Sequence, residues 1–160
     1  MTSGLARRTR EHDTPTLLRR GLLGLAALGL ARTVLELAFL RHWSGATQLL
    51  VWPGVIALAA ALLALVRHPS ARAVRIARAM ALVVVAIAVV GVGFHVLENL
   101  DAGPLDRAYA ATWDRLIGLG QLWLATTGGV GPAPVLAPGA LAEIALCLLL
   151  ATLRHPALES

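Results

Sequence analysis

Acidic and imidazole side chains inside apolar segments are the residues of this sequence that could do chemistry. Glu36, His95, Glu98 and Glu143 each interrupt a run of apolar residues. On a helix, His95 and Glu98 lie one turn apart on the same face. An imidazole and a carboxylate at this spacing, with single glutamates from other helices, are the ligand types of di-iron centres in helix bundles. The pattern therefore predicts these four residues as candidate metal ligands.

The same residues could hold an organic cofactor instead. A b-type haem held by two imidazoles requires both histidines at equal depth on facing helices. His42, just beyond the first apolar segment, and His95 form a candidate pair of this kind. A quinone headgroup held by His95 together with Glu98 or Glu143 would use the cluster without iron. The sequence leaves a metal ion, a haem and a quinone open as cofactors.

Arg32 adds a cation to this set, one helical turn before Glu36. An arginine without a partner in a membrane interior costs about 3 kcal/mol on insertion scales, so an ion pair with Glu36 at i+4 is expected. Arg32, Glu36, His95, Glu98 and Glu143 form the predicted intramembrane polar cluster near the extracytoplasmic surface. An Arg32–Glu36 pair with a neutral Glu143 is the alternative in which the cluster serves packing only.

Nucleophilic catalysis has little support in this sequence. The single cysteine, Cys147, lies in an apolar segment with no histidine within two helical turns, and a packed side chain explains it. The glycine-rich segment 126–139 is typical of a turn and helix entry rather than of a phosphate-binding loop. The sequence identifies no catalytic residue and favours a non-catalytic protein.

The composition places these residues in a membrane protein. Apolar residues make up 58% of the chain and charged residues 14%, and the mean hydropathy is +0.74. A soluble core of 160 residues could not bury this much apolar surface. The net charge of +5 comes from 14 arginines that mostly flank apolar runs, which excludes a nucleic-acid-binding face.

The apolar runs predict an all-α, polytopic integral membrane protein with four transmembrane helices. A span of about 20 residues crosses the ~30 Å hydrocarbon core of a bilayer. The predicted bundle covers residues 21–156, between a basic cytoplasmic arm at 1–20 and a tail at 157–160, and its spans are 21–40, 47–66, 79–98 and 137–153. Pro53 and Gly54 predict a kink in the outer turn of the second span.

The third span carries a seam of small and ionisable residues. Alternating steps of three and four residues connect the members of this seam, which are Ala81, Val84, Ala88, Gly91, His95 and Glu98. Such a stripe is typical of the face that one helix presents to another. We therefore expect His95 and Glu98 to face other helices rather than lipid.

The arginines predict the orientation. Ten lie in the arm, the loop between the second and third spans, and the tail, against three in the other loops. This positive-inside bias predicts that both termini lie in the cytoplasm. The expected location of the chain is the inner cell membrane. The loop 101–133 is then extracytoplasmic, and its periodicity predicts an amphipathic interfacial helix over Leu105 to Thr126, between the third and fourth spans.

Two classes of function agree with these observations. The first is an accessory or scaffold subunit, which would contact the lipid bilayer and other membrane subunits or further copies of itself. The second is a protein with a buried site, either a redox protein holding a metal ion, haem or quinone, or a small proton-coupled transporter.

Overall fold

A computed structural model describes residues 3–135 and 137–159 of the chain. The structure is 77% helical, and these residues include no strand. Its α-helices are α1 (Ser3–Phe39), α2 (Ala46–Leu49), α3 (Val51–Arg67), α4 (Ala71–Ala102), α5 (Gly118–Thr127) and α6 (Ala137–Ala151). Short 3₁₀ helices span Gly103–Leu105, Trp113–Arg115 and Pro156–Leu158. Met1 and Thr2 of the predicted arm, Leu136, and Ser160 of the predicted tail lie outside the described residues.

Within the described residues, two helical segments are long and apolar enough to cross a membrane. They are Pro15–Phe39 and Ala71–Leu105, of 25 and 35 residues. Helices α3 and α6 are also apolar but are shorter, at 17 and 15 residues. The all-helical fold class is confirmed, together with two helices of membrane-spanning length.

Helix α1 starts earlier than the sequence predicts. It begins at Ser3, so residues 3–20, predicted as an arm ahead of the first span, belong to the same helix. Its end is a Schellman-type turn in which the N–H of His42 donates to the carbonyl of Leu37 at 2.9 Å. Arg41 occupies the left-handed position of this turn with φ +48°, where glycine is usual.

The boundaries of α3 and α4 follow from local sequence. Pro53 lies in the first turn of α3, where its missing N–H breaks no helical hydrogen bond. Near the predicted kink, the helix is interrupted at Leu50, between α2 and α3. Ser70 precedes α4, and its hydroxyl accepts a hydrogen bond from the N–H of Ala73 at 3.2 Å. This is the capping interaction that serine provides at a helix start.

The chain divides into two compact units, of which the first comprises residues 1–85 and 141–160. Its core combines apolar residues of α1, α3, the first half of α4 and most of α6, with Leu58, Val74 and Leu148 almost fully buried. Small residues allow close packing, because a Cβ on Gly29 would lie 2.9 Å from Cγ1 of Ile144. Helix α1 therefore approaches α6 closely at Gly29.

The second unit comprises residues 86–140. Within it, the predicted bounds of the amphipathic helix, Leu105 to Thr126, are wrong. Only α5 forms there, and residues 106–117 are turns and a 3₁₀ helix. Asp106 favours the turn because its carboxylate accepts a hydrogen bond from the N–H of Ala108 at 2.9 Å. Trp113 is buried against Gly103, where a Cβ would overlap its indole ring. These tertiary and turn interactions override the helical periodicity.

Burial along α4 confirms most of the predicted seam. Ala81, Val84 and Ala88 are buried, and Gly91 and His95 are half-buried. Glu98 is exposed, however, and Asn99 is fully buried instead. The expectation that Glu98 faces other helices of this chain is therefore wrong. An α-helix has 3.6 residues per turn, so residues that repeat every 3.5 positions gradually rotate away from its inward face. At the end of the seam, the inward face is therefore occupied by Asn99 and not by Glu98.

Candidate functional site

Arg32 and Glu36 form the ion pair that their spacing predicts. Their Nη2 and Oε2 atoms are 3.6 Å apart, and 71% and 48% of the two side chains are exposed. Ala26, Thr33 and Leu37 occupy the buried side of the same helix. The pair therefore lies on the side of α1 that faces away from the core.

The residues around this pair are large and apolar. We define the outer face of α1 by its exposed residues Leu25, Leu28, Arg32, Leu35, Glu36 and Phe39. Leu28 and Phe39 are 70% and 84% exposed. One arginine and one glutamate are thus surrounded by apolar surface within a helix long enough to cross a membrane.

The carboxylates of the predicted polar cluster are not buried within the chain. Glu36, Glu98 and Glu143 are all exposed. On α6, the buried positions Leu141, Ile144 and Ala145 take up the packing face, which leaves Glu143 on the other side of the helix. A single copy of this chain therefore leaves the three carboxylates exposed, and their assembly into one polar cluster stays a prediction.

The sequence also predicts that Glu36, His95, Glu98 and Glu143 are ligands of one metal ion. Across residues 3–135 and 137–159, no group of three or more His, Cys, Asp or Glu side chains is placed to hold a metal ion. The four predicted ligands are therefore not assembled into such a group in this part of the chain. Of the predicted cluster, the contact that the structure establishes is the one between Arg32 and Glu36.

His95 differs from the carboxylates because it is half-buried. Its Nδ1 atom is inaccessible and has no hydrogen-bond partner within the described chain. A buried polar atom without a partner is costly, and it is the feature of this site that is most compatible with a ligand. His42, the second predicted haem ligand, is half-buried after α1, and its carbonyl accepts a hydrogen bond from the indole N–H of Trp52 at 2.9 Å. A haem between these histidines stays a prediction.

Asn99 organises the second unit, a role that was not predicted from the sequence. The amide nitrogen of its side chain donates to the carbonyls of Ala125 and Ala133, both at 3.0 Å. Its Oδ1 accepts from the N–H of Ala133 at 2.9 Å. Gly131 passes so close, with φ +77°, that a Cβ there would overlap Oδ1 of Asn99. The signal was present, since a glycine- and proline-rich loop has backbone groups that need partners when buried.

Arginines of the first unit bind the carboxyl end of α6. Arg78 donates from Nε to the hydroxyl of the buried Thr152 at 3.0 Å, and from Nη2 to the carbonyl of the same residue. Arg19 donates from Nε to the carbonyl of Ala151 at 3.0 Å and from Nη2 to that of Arg154 at 3.4 Å. Cations are favoured here, because the last carbonyls of a helix carry partial negative charge.

His155 lies beside these arginines and is buried. Its Nδ1 accepts a hydrogen bond from the N–H of Ala157 at 3.2 Å, which caps the final 3₁₀ helix. Burial lowers the pKa of His155, and the positive charges of Arg19 and Arg78 lower it further. A neutral imidazole is also what the cap requires, because protonated Nδ1 cannot accept a hydrogen bond.

Comparison of the chain with protein families, with curated proteins and with solved structures gave no match.

Proposed function

We propose that this chain is a non-catalytic subunit of a larger membrane assembly, and that the outer face of α1 binds a transmembrane helix of a partner subunit. In this proposal the chain crosses the inner cell membrane four times, with spans at residues 21–40, 47–66, 79–98 and 137–153 and both termini in the cytoplasm. The arginine distribution supports this orientation. Helices α3 and α6, ~25 and ~22 Å long, can cross if flanking residues and local thinning of the bilayer make up the difference.

The exposed Arg32–Glu36 pair is the observation that carries the proposal. Arg32 lies seven residues before the end of α1, which places it ~10 Å inside the apolar segment. Charged side chains at such depth rarely face lipid and pair instead with protein or line a cavity. The other residues that define the outer face of α1 are apolar, so this described face offers the pair no further polar partner. A partner helix with polar side chains at this depth would supply one.

The position of the charges favours a different protein over a second copy. Two copies related by a two-fold axis along the membrane normal would bring identical residues together at the same depth. Such a dimer would bring only further copies of Arg32 and Glu36 to this depth, each already paired within its own helix. A partner helix that carries an acidic or amide side chain at this depth adds a polar group that the outer face of α1 does not supply.

Substitution of the pair by leucine separates a protein contact from a lipid contact. The tagged chain would be extracted from its native membrane in mild detergent, and complexes would be compared by native electrophoresis and mass spectrometry. Arg32→Leu with Glu36→Leu should insert as well as the wild type but lose the partner subunit. The control, Asp101→Asn with Arg107→Gln, removes one negative and one positive charge from exposed positions outside the apolar core of α4 and should retain it.

Three results would contradict the proposal. The leucine pair could yield a complex of unchanged mass, the wild-type chain could purify as a single copy, or its complex could contain only further copies of this chain. The last result would replace the partner subunit with self-association.

Cofactor binding at His95 is a second candidate function, favoured by the buried Nδ1 atom without a partner. Optical spectra, elemental analysis and extraction of quinones from the purified protein would test it. A bound haem, metal or quinone should be lost in His95→Gln and retained in His68→Gln, since His68 is exposed at the end of α3. A colourless protein free of metal and quinone would rule this function out.

A further inference from the structure

The end of the first unit contains an open, positively charged hollow that the polar cluster of the sequence analysis does not include. It has a volume of about 580 Å³ and is lined by residues from the start of the Pro15–Phe39 segment and from the chain after α6. Volumes of this order accommodate small ligands. Because Pro15 and Arg19 precede the proposed span 21–40 and Arg154 follows the proposed span 137–153, the hollow would lie at the cytoplasmic surface of the bilayer in that topology.

Arg19 and Arg154 supply positive charge to the described lining of the hollow. Arg19 is held in place by its hydrogen bonds to the carbonyls of Ala151 and Arg154. The Arg154 side chain is exposed, and its backbone adopts the left-handed conformation with φ +44°. Among the lining residues that the structure describes, Glu159 is the acidic one. In the described part of the chain, neither arginine forms an ion pair with a carboxylate, so the cationic charge is available to a ligand.

The remaining lining includes Pro15, Leu153 and Pro156. An apolar rim next to guanidinium groups suits a ligand that has both a phosphate group and a hydrocarbon part. Guanidinium groups bind phosphate oxygens through paired, charge-assisted hydrogen bonds. Anionic phospholipids present this combination at the surface of a bilayer.

We propose that this hollow binds a phosphate group through Arg19 and Arg154, and that the phosphate belongs to the headgroup of an anionic phospholipid. The site is independent of the outer face of α1, so either proposal can fail without the other. Arg78, which is bonded to Thr152, does not line the hollow.

Lipid titrations followed by native mass spectrometry of the full chain in detergent would test the site. Phosphatidylglycerol should bind more tightly than phosphatidylcholine, and each arginine near a headgroup should contribute about fivefold to its affinity. Arg19→Gln with Arg154→Gln should abolish the preference. The matched control is Arg72→Gln with Arg75→Gln, which removes two exposed arginines from the first turns of α4 and should leave it intact.

The single variant Arg154→Gln distinguishes a loss of lipid binding from misfolding. Its side chain makes no hydrogen bond or ion pair in the described part of the chain, so folding should be unaffected while the affinity falls. Equal binding of the two lipids, or equal losses in the two double variants, would overturn the site. An excess of inorganic phosphate should not displace the lipid, and complete displacement would overturn the lipid as the source of the phosphate.

Discussion

The guanidinium group of Arg78 donates hydrogen bonds to both the hydroxyl and the carbonyl oxygen of Thr152, 74 residues further along the chain. Thr152 is buried, and its hydroxyl also donates to the carbonyl of Leu149 at 2.7 Å. One side chain of α4 therefore satisfies backbone and hydroxyl groups that follow α6. This contact fixes the end of α6 to the first half of α4 without any carboxylate.

Loss of this contact should destabilise the first unit. Arg78→Leu leaves the carbonyl and hydroxyl of Thr152 without their charged donor, and hydrogen bonds to charged groups contribute about 1.5–3 kcal/mol each. We expect a loss of that size or larger, measured as the free energy of unfolding in detergent. Arg75→Leu is the control, because Arg75 is exposed on the same helix. Equal effects of the two variants would show that the contact with Thr152 is unimportant.

Asn99→Leu should destabilise the second unit. The variant keeps a side chain of similar size but leaves the carbonyls of Ala125 and Ala133 and the N–H of Ala133 without partners. Each unsatisfied buried group costs about 1–3 kcal/mol. Proteolysis of residues 103–135 in the purified protein should become faster. Glu98→Gln, at the exposed neighbouring position, should cleave at the wild-type rate, and matching rates for both variants would contradict this role of Asn99.

Gly131→Ala should disrupt the hydrogen bonds of the Asn99 side chain by steric overlap. The added Cβ would overlap Oδ1 of Asn99, and the φ of +77° is strained for alanine. Because both substitutions remove one set of interactions, their effects should not add in a double variant with Asn99→Leu. Unfolding free energies of the single and double variants measure this coupling. Simple additivity would mean that Gly131 acts independently of Asn99.

The stability of the chain should fall in mild acid because of His155. Its pKa is lowered in the folded protein, first by burial and then by Arg19 and Arg78, so the unfolded chain binds a proton at higher pH than the folded chain does. Stability present above the ordinary histidine value of about 6.5 is therefore lost as the pH drops through and below it. Unfolding measured across this range would detect the loss.

His155→Asn is the matched variant for this pH dependence. Asparagine retains an acceptor that can cap the helix Pro156–Leu158, and it does not titrate. The variant should lose the part of the acid sensitivity that His155 causes. An unchanged pH profile would assign that sensitivity to other groups.

Composition and local spacing predicted the helical class, the Arg32–Glu36 pair and most of the buried stripe of α4. These features depend on residues a few positions apart, where helix geometry determines which side chains are neighbours. The spacing rule became inaccurate near the end of the stripe, where the drift of the helix buried Asn99 and exposed Glu98.

Contacts between distant residues were not predictable in this way. The partners of Asn99 lie 26 and 34 residues away, and Thr152 lies 74 residues from Arg78. No periodicity encodes such pairs. The predicted interfacial helix forms only over Gly118–Thr127. Before it, the packing of Trp113 on Gly103 and the local turn at Asp106 replace the helix that the periodicity predicted.

Site-specific photo-cross-linking in native membranes tests the central claim, which is that the outer face of α1 contacts a partner protein. A benzophenone side chain would replace Leu28, which is exposed one turn before Arg32, and in a second variant Ile56, which is exposed on α3. We predict that the Leu28 position forms a discrete adduct with another membrane protein, that Arg32→Leu with Glu36→Leu abolishes it, and that the Ile56 position yields lipid adducts. Adducts with lipid alone at Leu28 would contradict the account.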